Sequence, residues 1–165
     1  SDATVGAANE TVDLSGNGVG PTFADDDADD IVDFGNVFFG SPVNRTLNVS
    51  NVTGDTALAA LLNMTITGVS ISGANASDFS IVGSPVGSVV AKGGSLGIQL
   101  VSTYGGVPQS MRNTVLTINT DVGAALGGDG QDFTFNLTAF HVPEPSSMIL
   151  GSLGALLMLL RRWSA

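Results

Sequence analysis

Alternation of apolar and polar side chains dominates the middle of the chain. Leu47 and Val49 alternate with Thr46, Asn48 and Ser50; Val69 and Ile71 with Ser70 and Ser72; Phe133, Phe135 and Leu137 with Thr134, Asn136 and Thr138. A period of two places one face of a segment in a core and the other in water, so each is read as a half-buried antiparallel strand. Phe79 to Val82, Leu96 to Thr103 and Thr114 to Asn119 are further candidates. Turn clusters lie between them: Gly73-Ala74-Asn75, Lys92-Gly93-Gly94-Ser95 and Gly127-Gly128-Asp129-Gly130. About seven short strands with regular turn signals predict an all-β antiparallel β-sandwich. Its expected core is Leu47, Val49, Val69, Ile71, Phe79, Ile81, Leu96, Ile98, Leu100, Leu116, Ile118, Phe133, Phe135 and Leu137. The exception is Thr56 to Leu62, a run of good helix formers expected to make one or two helical turns between strands.

Composition agrees with this pattern. The 165 residues are 43% hydrophobic and only 12% charged, with 22 glycines. Lysine occurs once, at Lys92, and glutamate only at Glu10 and Glu144, so the residues that solvate helical faces are nearly missing. One core is the expectation at this length. The expected division is an acidic Gly/Asp-rich, partly extended N-terminal segment at residues 1–30, the sandwich at 31–141, and a separate C-terminal unit at 142–165.

The formal net charge is −10, and nine acidic residues with no basic one fall between Ser1 and Asp33. A field of this sign repels phosphate backbones, so no nucleic-acid partner is expected. The chain has no cysteine, which excludes disulfides, thiolate metal sites and cysteine nucleophiles. It opens on Ser-Asp-Ala-Thr with no methionine and no apolar run, as expected of a chain from which a signal peptide has been removed.

The C-terminal unit carries the clearest motif. Val142-Pro143-Glu144-Pro145 is followed by a mostly apolar run from Ser146 to Leu160, then Arg161-Arg162-Trp163. The prolines end the preceding strand, and a short hydrophobic helix is expected after them. Fifteen residues of helix rise roughly 22 Å, somewhat short of a hydrocarbon core of about 30 Å. Gly151 and Gly154 leave a smooth face for packing on another helix. The paired arginines favour the cytoplasmic side, which leaves everything before Pro143 outside the inner membrane. Proline-glutamate-proline, a short hydrophobic helix and an arginine cluster together resemble the PEP-CTERM sorting signal of Gram-negative bacteria. The resemblance covers Val142 to Ala165. It implies an exosortase that recognises Pro143, Glu144 and Pro145, with Arg161 and Arg162 completing the signal. It further implies a transient stay in the inner membrane and delivery to the cell surface or extracellular matrix, often in bacteria that secrete exopolysaccharide.

A second resemblance rests on four blocks. They are Asp33-Phe34-Gly35-Asn36-Val37, Arg45 to Asn51, Ile71 to Phe79 and Phe133 to Leu137, which look like the choice-of-anchor D domain. It spans roughly residues 16–140 and departs from the pattern at Thr53 to Asn63, where the usual short turn is expanded. It implies an immunoglobulin-like β-sandwich on a bacterial surface, and it supplies no catalytic residues.

Candidate chemistry is sparse. His141 is the only histidine and abuts the sorting signal, where it is read as a solvated linker residue, so no enzymatic function and no cofactor are expected. Asp25, Asp27 and Asp29, in the run Asp25 to Asp30, supply oxygen atoms of the kind Ca²⁺ takes, but without the glycine turn and terminal glutamate of an EF-hand. They are read as a solvated acidic loop and no metal is expected. Gly127 to Asp132 fits one unit of a calcium β-helix repeat, a fold that needs stacked copies, and is read as a hairpin turn. Asn9, Asn44, Asn48, Asn51, Asn63, Asn75 and Asn136 all stand in Asn-x-Ser/Thr and are candidate glycosylation sites, Asn48 and Asn136 on outward strand faces. The reading is a non-enzymatic surface or extracellular-matrix protein. One alternative is a self-assembling filament or sheath subunit whose terminal segments pack between copies. Another is a carbohydrate-binding module, for which Tyr104 and Trp163 offer little stacking surface.

Overall fold

The computed structural model describes residues 20–54, 62–104, 106, 110–124 and 129–142. Nine strands are found among them: β1 Phe23–Asp25, β2 Ile31–Phe38, β3 Val43–Asn51, β4 Met64–Ser72, β5 Phe79–Val82, β6 Val89–Val90, β7 Ser95–Ser102, β8 Ser110–Thr120 and β9 Gln131–Val142. They form two sheets, one of order β1-β3-β7-β5 and the other β2-β9-β8-β4-β6. The all-β sandwich is as expected, with more strands than the about seven of the sequence pattern: β1 and β6 are too short to show an alternation, and that of β2 is broken by a bulge. The expected helical turns at Thr56 to Leu62 fall almost wholly outside the described residues, as does the C-terminal helix.

The sheets are not uniformly antiparallel. β2 runs parallel to β9, from Ile31 opposite Asn136 to Phe38 opposite Val142. Parallel neighbours need a long connection, and here the whole sandwich intervenes between them. The sandwich also begins ahead of the expected boundary at residue 31. β1 pairs with β3, and Phe23 stacks on Phe133 of the other sheet with ring centroids 3.6 Å apart. The last third of the acidic segment is thus built into the fold.

Every residue of the expected core is buried or packed against the buried cluster. To it the structure adds Val32, Phe34, Val37, Met64, Ile66, Val90, Val122 and Ala139. Two bulges explain most of the additions. In β2 the pairing slips between Asp33 and Asn36, so the inward set changes from Val32 and Phe34 to Val37. Gly35 sits at the slip with φ of 66°, a conformation costly for residues with a Cβ. Asp33 holds it in place, its Oδ1 accepting the Gly35 N–H at 2.9 Å and the Thr138 hydroxyl at 3.1 Å. In β4 a slip between Ile66 and Gly68 likewise changes the inward set from Met64 and Ile66 to Val69 and Ile71.

Candidate functional site

The site of interest is the end of the sandwich where β9 gives way to Pro143-Glu144-Pro145. β9 is flanked on both sides, by β2 and β8, so its exit point is held by two ladders of backbone hydrogen bonds. Its inward residues are Phe133, Phe135, Leu137, Ala139 and His141, an unbroken period of two. His141 is 0% exposed, in register with Val37 on one side and Ser110 on the other. It is a core residue of the last strand, and the reading of a solvated linker is overturned. The alternation starting at Phe133 already pointed there, had it been carried four residues past Leu137.

A polar cluster surrounds this histidine. Tyr104 stacks on the imidazole with centroids 5.0 Å apart, and Phe39 meets Tyr104 edge-on at 5.6 Å. Asp78 ends a 3-10 turn, Ala76–Asp78, and its carboxylate lies 3.3 Å from Nε of Arg112 on β8. The Asp78 carbonyl accepts the Thr103 N–H at 2.8 Å, tying this turn to the residues after β7. Burial holds the His141 imidazole below its ordinary pKa; Asp78 draws it back up and Arg112 presses it further down. Sequence reasoning missed the cluster because its members come from four separate segments that only the fold joins.

The acidic run stands apart from this end. The Asp25 carboxyl is raised by burial, against the lowering effect of the Asp27 N–H that its Oδ1 accepts at 3.0 Å. Asp27 is raised by burial and by sharing a hydrogen bond with Asp29. Asp26 is lowered by the Asn48 amide, which donates to its Oδ2 at 2.6 Å. Among the described residues no three His, Cys, Asp or Glu side chains gather as a metal site.

The sequon asparagines differ in access. Asn44, Asn48 and Asn136 are exposed, the amide of Asn48 being engaged by Asp26. Asn63 and Asn75 are half-buried, and Asn75 Oδ1 accepts the Asn113 N–H at 3.2 Å. Asn51 is fully buried, with Nδ2 donating to the carbonyls of Leu62 at 2.6 Å and Val90 at 3.0 Å. Both amide hydrogens are committed, which removes Asn51 from the acceptors available in the folded domain. Asn9, Pro143, Glu144, Pro145, Arg161 and Arg162 lie outside the described residues.

Residues 141–162 match the PEP-CTERM protein-sorting motif. The motif implies recognition by an exosortase and passage of an exported chain across the membrane to the cell surface. The match opens inside β9, so the sandwich and the motif share His141 and Val142 with no linker between them. Among solved structures, the ASH / PapD-like domain 7 of human CEP192 is similar over 83% of this chain and 96% of that one, with 9% identity and a TM-score of 0.52. At that identity the likeness is one of fold: an immunoglobulin-like or PapD-like sandwich. The Vibrio cholerae protease VesB is similar over 73% of this chain, with 16% identity and a TM-score of 0.44, and the chain spans 31% of its length. No curated protein matches the sequence. Fold and motif together define an exported β-sandwich carrying a PEP-CTERM sorting motif.

Proposed function

We propose that the chain is a non-enzymatic envelope or extracellular-matrix protein of a Gram-negative bacterium, a rigid immunoglobulin-like module handed outward by an exosortase. The observation that carries this is the direct junction: the matched motif begins in the last buried row of the sandwich. The fold runs up to Val142, the residue directly before Pro143-Glu144-Pro145 in the sequence. The resemblance to choice-of-anchor D domains supports the same role, since those modules stand ahead of different anchors. The non-enzymatic part of the reading rests on burial. Ser102, His141 and Asp78 have the composition of a nucleophile, base and acid, but their exposures are 0%, 0% and 7%, which leaves no place for a substrate. Exopolysaccharide is the partner this role implies.

The test is replacement of Pro143-Glu144-Pro145 by alanines in the native host, with mass spectrometry of the surface fraction. The expected result is a folded sandwich retained in the inner membrane with its C-terminus uncut. Normal processing and display of the mutant would overturn the sorting role.

A further inference from the structure

The end of the sandwich from which the motif leaves is also where large apolar side chains are exposed. Phe38 is 42% exposed, Phe39 60%, Met111 61% and Phe140 37%. Met111 and Phe140 are register partners across β8 and β9, and Phe38 is the partner of Val142 across β2 and β9. All therefore sit within the last rows of one sheet or, for Phe39, in the turn that follows it. Among the described residues every phenylalanine or methionine exposed to this degree belongs to this group; the other exposed large apolar side chains are Ile31 and valines.

Charge is distributed in the opposite sense. In the rows from Ala139 to Val142 and the described loops around them, the acidic and basic residues are Asp78 and Arg112, which pair with each other. Asp33 stands level with Thr138, and Asp121, Asp129 and Asp132 lie at the far end of the β8 to β9 connection. An apolar, uncharged collar on one sheet thus flanks the exit of a chain whose net charge is −10.

Chain length fixes what the collar faces. Four residue steps separate Val142 from Ser146, where the apolar run begins, and an extended chain covers at most roughly 14 Å in that distance. The polar layer on each side of a bilayer is about 5 to 8 Å thick. With the run from Ser146 in the hydrocarbon, the collar is confined to the lipid surface and its immediate surroundings. We propose that Phe38, Phe39, Met111 and Phe140 are a bilayer-contacting collar that seats the sandwich on the membrane, its apolar side chains in the boundary between headgroups and acyl chains. The proposal rests on the reading of the C-terminal segment as membrane-inserted. A lipid surface is favoured over an exosortase surface because the length constraint holds whenever the tail is inserted, whereas the enzyme is met only during processing. With no exposed basic residue in the collar, the contact needs no anionic lipid.

The native chain has no cysteine, so a single one can be placed at will. Met111→Cys and Thr134→Cys put a polarity-sensitive fluorophore on the same face of the sheet, Thr134 being six residues, about 20 Å, up β9 from Phe140. Full-length protein is reconstituted in phosphatidylcholine vesicles containing headgroup-spin-labelled lipid, and brominated lipid reports insertion of Trp163. The expected result is a blue-shifted, strongly quenched label at position 111, an unshifted one at 134, and loss of the 111 signal on adding Phe38→Ser, Phe39→Ser and Phe140→Ser. A quenched Trp163 with equal labels at 111 and 134 would overturn the collar and leave the anchor standing. An unquenched Trp163 would overturn both. A shift at 111 that appears only when the vesicles contain exosortase would assign the collar to the enzyme instead and reject the lipid contact.

Discussion

Tyr104 lies nearly flat against His141, ring centroids 5.0 Å apart and planes 20° from parallel. The contact closes the last buried row of β9 and makes the stability of the exit point depend on an imidazole. Burial lowers the His141 pKa in the folded chain from its ordinary 6.5, so the unfolded chain takes up the proton first as pH falls. Its stabilising contribution is complete above about pH 6.5 and is lost as pH drops from there through the lower folded-state value. Urea midpoints should therefore fall across that interval in the wild type. His141→Phe keeps the ring contact and removes the titrating group, and its profile should be flatter there. An unchanged slope in the variant would assign the effect to other groups.

The Asp78 and Arg112 pair is the other polar element at this end, with side chains 10% and 13% exposed. Removing one partner of a buried pair leaves an uncompensated charge, while replacing both by apolar groups of similar size is often neutral. Arg112→Met should thus destabilise by about 3 kcal/mol, and Asp78→Leu added to it should recover most of that loss. Equilibrium denaturation of the single and double variants decides; a double variant worse than the single would mean the pair is net stabilising.

Phe135 is 1% exposed at the centre of β9. Phe135→Ala should cost about 3 to 5 kcal/mol, from lost transfer energy and the cavity left behind. A loss under about 1 kcal/mol, measured by denaturant unfolding, would mean that the surrounding side chains collapse into the space.

How far the sequence was legible follows from the same strands. Phe133, Phe135 and Leu137 keep an unbroken period, and so did Leu47 and Val49, so their inward faces could be read directly. β2 and β4 each contain a bulge, and one inserted residue reverses the parity of everything after it. Met64 and Ile66 were missed for that reason, although Val69 and Ile71 two rows on were not. The parallel pairing of β2 with β9 is a contact between chain segments about a hundred residues apart and leaves no local pattern. At the exit, His141 reads as a solvated linker residue because it stands two positions before Pro143. A proline ends a strand only at its own position, and β9 runs on to Val142.

The β8 to β9 connection offers a sharper test of backbone geometry. Gly130 has φ of 86°, and a Cβ there would collide with the carbonyl oxygen of Thr120. Both terms oppose substitution, so Gly130→Ala should destabilise by more than about 1 kcal/mol. Gly83, with a similar φ of 83° and nothing near its missing Cβ, is the control for conformation alone. Thermal unfolding should rank Gly130→Ala well below Gly83→Ala. Equal losses would show that the turn relaxes around the added methyl.

The seven-sequon pattern makes the last prediction, because asparagines that share the Asn-x-Ser/Thr pattern have opposite surroundings. Asn51 bridges three parts of the fold. Nδ2 donates to Leu62 and Val90, its backbone N–H donates to Gly94, and its carbonyl accepts the Gly93 N–H. Asn51→Asp replaces a donor facing two carbonyl oxygens by a carboxylate that can only accept. Each buried carbonyl then loses its partner at about 1 to 3 kcal/mol, with a further cost for the buried charge. The variant should unfold at a much lower urea concentration than the wild type, or fail to fold. Asn136 points outward from the middle of β9, and Asn136→Gln should change stability by no more than about 0.5 kcal/mol. The same contrast governs modification. If the surface protein carries N-linked glycans, peptide mapping should place them at exposed positions such as Asn44 and Asn136 and find Asn51 bare. A glycan on Asn51 would require attachment before β3, β6 and the segment at Leu62 have closed around it, and would put glycosylation ahead of folding in the export sequence.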